Sequence, residues 1–138
     1  MRLWHHDIIE LLPKSQLLAQ WRELNSIFAK EDRHILINYI YDYPKEHLYT
    51  YTQLVVNEMK NRGFTIRTFD KMNRYFEGID TNKKVKQPFA EHHNDEYFEI
   101  CYFNLKEKYL RGQKDFEEST FYELDARYKS IQATKDVL

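Results

Sequence analysis

The chain has 138 residues with a formal net charge of −1 at pH 7, and 42% of its residues are hydrophobic. This length fits one domain with a single core, and the near-neutral total argues against binding nucleic acid through overall charge. The single cysteine, Cys101, excludes an internal disulfide or a cysteine-based zinc site and favours a cytoplasmic location. No apolar run approaches the roughly 18 residues of a membrane span, so we expect no membrane partner.

The first predicted helix begins at Pro13, because proline has no N–H to leave unpaired at the first helical position. An apolar stripe at helical spacing follows it, formed by Leu17, Trp21, Leu24 and Phe28. Arg22 and Glu23 lie off this stripe. Their charged groups are therefore free to reach solvent or a cleft.

In residues 35–43, large apolar or aromatic side chains recur loosely at every second position (Ile37, Tyr39, Tyr41 and Tyr43). This pattern favours extended chain. Several tyrosines lie in and just after this segment. These tyrosines are Tyr39, Tyr41, Tyr43, Tyr49 and Tyr51. One interpretation is that they stack on nucleic-acid bases, and the other is that they fill the core.

A second helix is predicted to open at Pro44 and to stop at Gly63, since glycine favours helix C-termini. Its predicted buried face comprises Leu48, Tyr51, Leu54, Val55 and Met59. Residues 64–90 have no regular pattern and are basic and aromatic, with a short helix predicted near Phe69 to Phe76.

A third helix is predicted to start near Asn94 and Asp95, whose side chains suit an N-cap, and to end at Gly112. Its inward-facing residues are predicted to be Tyr97, Ile100, Cys101 and Leu105. A fourth helix is indicated by Phe116, Phe121, Leu124 and Tyr128. The sequence thus predicts a compact all-α single domain over residues 1–138, with about four helices and a long central basic loop.

Charge is distributed unevenly along the chain. Residues 60–86 contain eight basic and three acidic side chains, whereas residues 91–125 contain ten acidic and four basic ones. Such an uneven distribution can create a basic face on a chain whose net charge is close to zero. The alternative is that residues 60–86 form a solvated lysine-rich loop. The candidate DNA-facing residues here are Lys60, Arg62, Arg67, Lys83 and Lys84.

The amino-terminal α-amine is a candidate nucleophile. Its ordinary pKa is near 8, roughly two units below that of lysine, so a useful fraction is neutral at physiological pH. A neutral amine can attack the C1′ carbon of a nucleotide sugar and form a Schiff base. A nearby carboxylate such as Glu23 would stabilise the cationic intermediate and transfer protons.

Two blocks of sequence resemble a known family. Residues 17–24, Leu-Leu-Ala-Gln-Trp-Arg-Glu-Leu, resemble the Leu-Met-Ala-Glu-Tyr-Arg-Glu-Leu segment of the phage pyrimidine-dimer DNA glycosylases, also called endonuclease V. Residues 53–66, which contain Lys-Asn-Arg-Gly-Phe-Thr-Ile, resemble that family's Gln-Ile … Lys-Arg-Gly-Phe-Asn-Ile stretch. A fainter likeness covers residues 105–108.

The resemblance implies an all-α enzyme that cleaves the glycosidic bond with its N-terminal amine and then breaks the strand by β-elimination. It implies that Glu23 is the catalytic carboxylate and that Arg22 contacts DNA. The family exposes Thr-Arg after losing its methionine, whereas this chain begins Met1-Arg2. Because arginine at position two is too bulky for efficient methionine removal, we expect Met1 to carry the nucleophile and Arg2 to hold phosphate.

Two further departures concern the substrate. The family's aromatic run Trp-Tyr-Lys-Tyr-Tyr has no counterpart in residues 130–138, which weakens the expectation that pyrimidine dimers are the lesion. Ser26 replaces a basic residue of the family's DNA face. A weaker electrostatic contact with phosphate follows.

Histidines form a second constellation, with His5 and His6 at the start of the chain and His92 and His93 before the third helix. One interpretation is that they line the amine pocket and tune proton transfer. Another is that they bind a metal ion. No HExxH spacing supports the second interpretation.

We therefore expect a DNA glycosylase with abasic-site lyase activity, with Met1 and Glu23 as its catalytic residues. Its partner would be double-stranded DNA containing a damaged or modified base, and no cofactor is required. Two alternatives remain, a non-catalytic nucleic-acid-binding domain of the same fold and a metal-dependent hydrolase that uses the histidine clusters.

Overall fold

The computed structural model describes residues 1–136, so the last two residues of the 130–138 segment lie outside the described range. Five α-helices follow one another: α1 (Lys14–Lys30), α2 (Lys45–Asn61), α3 (Asp70–Tyr75), α4 (Asp95–Leu110) and α5 (Glu118–Asp136). Two 3-10 helices, Ile9–Leu11 and Asn38–Asp42, precede α1 and α2. The described residues contain no strand, so the predicted all-α class is confirmed.

The helices pack in two groups around one cluster of buried residues that extends from Leu3 to Leu124. Helix α1 packs against α2 and α3, and α4 packs against α5. The 3-10 helix Ile9–Leu11 contacts both α2 and α5 and so joins the groups. In the part of the chain described, no helix is long and apolar enough to cross a membrane.

The predicted helix boundaries are close to the observed ones. Pro13 and Pro44 each precede the first helical residue by one position. Gly63 follows α2 with a φ of 82°, and the Phe64 N–H returns to the Met59 carbonyl, a backbone arrangement that favours glycine. Asn94 caps α4 as predicted, since its side chain accepts the Tyr97 N–H at 2.9 Å.

The extended chain predicted for residues 35–43 is wrong. Residues Asn38–Asp42 form a 3-10 helix, and Ile37 and Ile40 are both buried. Residues three apart share one side of a 3-10 helix, so this spacing explains the burial that the alternating pattern missed.

The buried faces of α2 and α4 each differ from prediction at one position. Leu54 is 37% exposed and Ile100 is 48% exposed. Successive helical residues point about 100° apart, which turns these two side chains away from their buried neighbours Val55 and Cys101. The tyrosines favour the core-filling interpretation: Tyr51 is fully buried, and the other four pack against the core.

Candidate active site

Helix α1 presents Gln20 and Glu23 toward the first residues of the chain. The two side chains are three residues apart and therefore neighbours on one side of the helix. Gln20 is 1% exposed, whereas Glu23 is half-buried. The Gln20 Nε2 donates to Glu23 Oε2 at 3.0 Å, so the carboxylate has a fixed partner.

The amino-terminal segment is held by side chains of α1 and α2. Gln20 Oε1 accepts the Trp4 N–H at 2.9 Å, and Gln20 Nε2 donates to the Arg2 carbonyl at 3.1 Å. The Tyr51 hydroxyl lies 2.7 Å from the Trp4 carbonyl oxygen and 2.8 Å from Gln20 Oε1, and its single hydrogen is shared between these two acceptors. The backbone on both sides of Leu3 is thus fixed.

Helix α4 and the residues before it hold the same segment from another side. The Tyr97 hydroxyl donates to the Leu3 carbonyl at 2.6 Å, and His93 Nδ1 accepts the His6 N–H at 3.1 Å. Leu3 is fully buried, which adds an apolar anchor. Few chain termini are fastened in this way, since the first residues of a domain are usually poorly ordered.

Met1 follows from this anchor into a cavity of about 250 Å³. Residues from α1 and α4 line it together with the amino terminus, among them Met1, Arg2, Gln20, Glu23, Asn104 and Lys108. Burial raises the pKa of the Glu23 carboxyl above its usual value, and the positive charges of the Met1 amine and of Arg22 oppose that rise. Met1 and Glu23 thus line one cavity, and the charge of the terminal amine acts on the half-buried carboxyl.

The predicted basic residues are placed unequally around this cavity. Arg2 lines it, with its guanidinium carbon 5.9 Å from the centre of the Tyr97 ring, and Arg22 is exposed on α1 beside Glu23. Four others lie exposed elsewhere on α2 and in the segments around α3, none of them in the cavity lining: Lys60, Arg67, Lys83 and Lys84.

Arg62 is engaged inside the protein. Its Nε donates to Glu58 Oε2 at 2.7 Å, and its two terminal nitrogens donate to the carbonyls of Leu12 and Glu10 at 2.8 and 3.1 Å. These bonds fasten the end of α2 to the residues before α1. We therefore leave Arg62 out of the proposed DNA surface.

The predicted pocket histidines lie elsewhere. His5, His6 and His93 come together and line a different cavity, of about 540 Å³, whereas His92 stacks on Tyr39 with ring centres 4.7 Å apart. Within residues 1–136, none of the four lines the cavity of Met1 and Glu23. The structure thus separates the histidines from the amine pocket.

Ring nitrogens of His5, His6 and His93 lie within 4.8 Å of one another, a spacing that invites comparison with a metal site. Their lone pairs are largely in use. His5 Nδ1 accepts the Asp7 N–H, and His93 accepts the His6 N–H while its Nε2 contacts the Tyr39 hydroxyl at 2.6 Å. A metal ion would have to displace these hydrogen bonds, so the cluster better fits neutral imidazoles that hold the segment.

Burial supports that protonation state. Together with the charges of the neighbouring histidines, it lowers the pKa of His5 to about 4 and the pKa of His93 to about 2. Both rings are therefore neutral at physiological pH.

Several residues around the cavity were not singled out from the sequence. Gln20 lies within the quoted 17–24 block at a position where the family segment has Glu, so only Lys108, within the faint likeness at 105–108, carried a weak signal. Tyr51 and Tyr97 were predicted as residues of buried helix faces, and Asn104 carried no signal.

The chain matches a known protein family over its first half. A family model described as pyrimidine dimer DNA glycosylase matches residues 1–72, which include the amino-terminal segment, α1 and α2. Neither the curated proteins nor the solved structures contained a match to the chain. Asn104 and Lys108, on α4, lie beyond the matched residues.

Proposed function

Because the chain belongs to the pyrimidine dimer DNA glycosylase family, we propose that it excises a damaged or modified base from double-stranded DNA and then cleaves the strand as an abasic-site lyase. One observation carries this proposal. Residues 2–6 are held by side chains of three helices and of the segment before α4, so that Met1 and Glu23 line the same cavity.

The proposed reaction begins with the neutral Met1 amine attacking C1′ of the damaged nucleotide. The bond between C1′ and the base breaks and the base leaves with a proton from the amine. The sugar ring then opens as O4′ takes a proton from solvent, which gives a protonated imine between C1′ and the amine nitrogen. Glu23, as a carboxylate, stabilises the positive charge of this protonated imine.

Strand cleavage follows from the same intermediate. The protonated imine acidifies the C2′ hydrogen, Glu23 removes that proton, and the 3′ phosphate leaves by β-elimination. Water then hydrolyses the imine, which returns the free amine and releases an unsaturated aldehyde on the cleaved strand. Amine, carboxylate and water suffice for every step, so we expect no cofactor.

The sugar of a stacked nucleotide is not accessible to an amine in a small cavity. We therefore propose that the duplex is bent or that a nucleotide is extruded, at a cost that is lowest for a damaged base pair. Arg2, Arg22 and Lys108 surround the site and would hold the phosphates beside the lesion. Lys60, Arg67, Lys83 and Lys84 are candidates for a wider DNA surface.

Borohydride trapping tests the proposal. Incubation with a duplex containing an abasic site should give a covalent adduct in the intact mass, and peptide mapping should place it on residue 1. A matched protein with additional residues before Met1 should give no adduct, because its amine lies beyond the cavity. An adduct on a lysine would contradict the assignment, and binding without any adduct would favour the non-catalytic alternative.

A further inference from the structure

The amide group of Gln20 makes four hydrogen bonds within one buried site. Its oxygen accepts from the Trp4 N–H and from the Tyr51 hydroxyl, whose single hydrogen is shared with the Trp4 carbonyl, and its nitrogen donates to the Arg2 carbonyl and to Glu23 Oε2. A primary amide has two donor hydrogens and two acceptor lone pairs. Each of these four positions of the group therefore has a partner.

These four bonds join the two reacting parts of the proposed site. Two of them hold the backbone at Arg2 and Trp4, one and three residues behind Met1, and one holds the carboxylate of Glu23. Gln20 itself is fixed by its helix and is only 1% exposed. A displacement of either group by about 1 Å is enough to slow a reaction of this kind strongly.

We propose that Gln20 is a positioning residue that aligns the amino-terminal amine with the Glu23 carboxylate; this inference rests on the proposed function. Gln20 does not exchange protons or contact the sugar. It acts on the amine through the backbone of residues 2–4 and on the Glu23 carboxylate through a direct hydrogen bond. Loss of the Gln20 side chain should therefore disturb both the amino-terminal segment and the carboxylate.

The Met1 amine and Arg22 on α1 place positive charge near the Glu23 carboxyl. Arg2 and Lys108 line the same cavity. The Gln20 Nε2–H adds a neutral donor to the carboxylate, and a hydrogen bond to the ionised form lowers a carboxyl pKa. Removing this donor alone should therefore raise the Glu23 pKa.

Two substitutions separate the two functions of the side chain. Gln20→Met keeps the length and removes all four bonds. Gln20→Glu keeps the acceptor bonds to Trp4 and Tyr51 but loses both donors and puts a second carboxyl beside Glu23. The control is Thr52→Val, because Thr52 is equally buried and its hydroxyl donates to the Leu48 carbonyl of its own helix.

Three quantities are measured in each variant: the rate of borohydride trapping, the Glu23 pKa by NMR, and the exchange rate of the Trp4 amide hydrogen. Gln20→Met should trap about 10- to 100-fold more slowly, raise the Glu23 pKa and speed Trp4 exchange at least about tenfold, the free-energy equivalent of one lost hydrogen bond. Gln20→Glu should raise the pKa further because of like-charge repulsion, while Trp4 exchange stays near the wild-type rate. Thr52→Val should change none of the three.

The outcomes separate this inference from the proposed function. A wild-type protein that forms no adduct contradicts the function, while the pKa and exchange measurements still decide the role of Gln20. Unchanged values of both in Gln20→Met, or trapping at the wild-type rate, overturn the inference. If Gln20→Met does not fold, unchanged trapping and an unchanged Glu23 pKa in Gln20→Glu overturn it instead.

Discussion

The hydroxyl of Tyr97 on α4 donates to the carbonyl oxygen of Leu3 at 2.6 Å, across 94 positions of sequence. This bond brings the second half of the chain to a site whose proposed nucleophile and carboxylate both lie in the first 23 residues. Together with Gln20 on α1 and Tyr51 on α2, it makes three helices converge on one extended segment. The backbone directly behind the amino terminus is thus held by side chains of three helices.

Replacing Tyr97 by phenylalanine should cost about 1 kcal/mol of stability, because the Leu3 carbonyl loses its partner in a buried site. We also expect slower borohydride trapping, since the segment behind the amine loosens. Tyr109→Phe is the matched control on the same helix: Tyr109 stacks on Phe121, and its hydroxyl bonds to none of the described residues. Equal trapping rates for the two variants would limit the Tyr97 bond to a role in folding.

Glu23→Gln should leave the free energy of unfolding within about 0.5 kcal/mol of the wild-type value, because the new amide oxygen still accepts the hydrogen bond from Gln20. The rates of base excision and of borohydride trapping should fall by about 100-fold or more. A neutral amide neither stabilises the positive charge of the imine nor accepts the C2′ proton. Denaturant titration and single-turnover kinetics check the two parts. An active Gln variant would show that another group carries the chemistry.

Lys108→Ala should weaken DNA binding and lower the salt dependence of affinity by about one unit of slope, as expected for one lost phosphate contact. Lys106→Ala serves as its control. Lys106 lies on the same helix two residues earlier, but its ammonium lies 5.9 Å from the centre of the Tyr102 ring and away from the cavity lining. Equal losses in the two variants would mean that α4 contributes only general charge.

The exposed lysines between α3 and α4 test the wider DNA surface. Replacing Lys83, Lys84 and Lys86 by alanine should weaken affinity to a similar degree for all DNA sequences and flatten its dependence on salt. Binding titrations at several salt concentrations measure both effects. An unchanged slope would identify this segment as a solvated connection and restrict the DNA surface to α1, Arg2 and α4.

As the pH is lowered, the protein should begin to lose stability at a higher pH than protonation of its carboxylates alone would cause. Burial lowers the pKa of His5 to about 4 and that of His93 to about 2, whereas unfolded histidines titrate near 6.5. Below pH 6.5 the unfolded chain therefore binds more protons than the folded one, and stability falls as the pH falls, by up to about 1.4 kcal/mol per pH unit for each group. Denaturant midpoints between pH 7 and 4.5 measure this slope, and His93→Gln should reduce it.

Sequence alone predicted the helices best where one face is strongly apolar. The Leu17, Leu24 and Phe28 spacing located α1, and Gly63 located the end of α2, since both signals arise within a few residues. The burial of Leu54 and Ile100 was predicted wrongly because the width of a buried face depends on which helix packs against it.

The candidate site was predicted only in its local part. Glu23 and Arg22 could be named from their block, whereas the contribution of α4 depends on chain reversals that no local pattern encodes. The histidines show the same limit. His92 and His93 are adjacent in sequence, yet one stacks on Tyr39 at the surface and the other is buried against the amino terminus.

The fastening of Arg2, Leu3 and Trp4 has a consequence for how the protein matures. Since these residues cannot slide, the position of the terminal nitrogen depends on the number of residues ahead of Leu3. An aminopeptidase that removed Met1 would move that nitrogen back by about 3.8 Å, the distance between consecutive Cα atoms. A formylated or acetylated Met1 would occupy the right place with a nitrogen that cannot form an imine. Under the proposed mechanism, activity therefore depends on an amino terminus that begins at Met1 with a free amine, and a difference of one residue should abolish it.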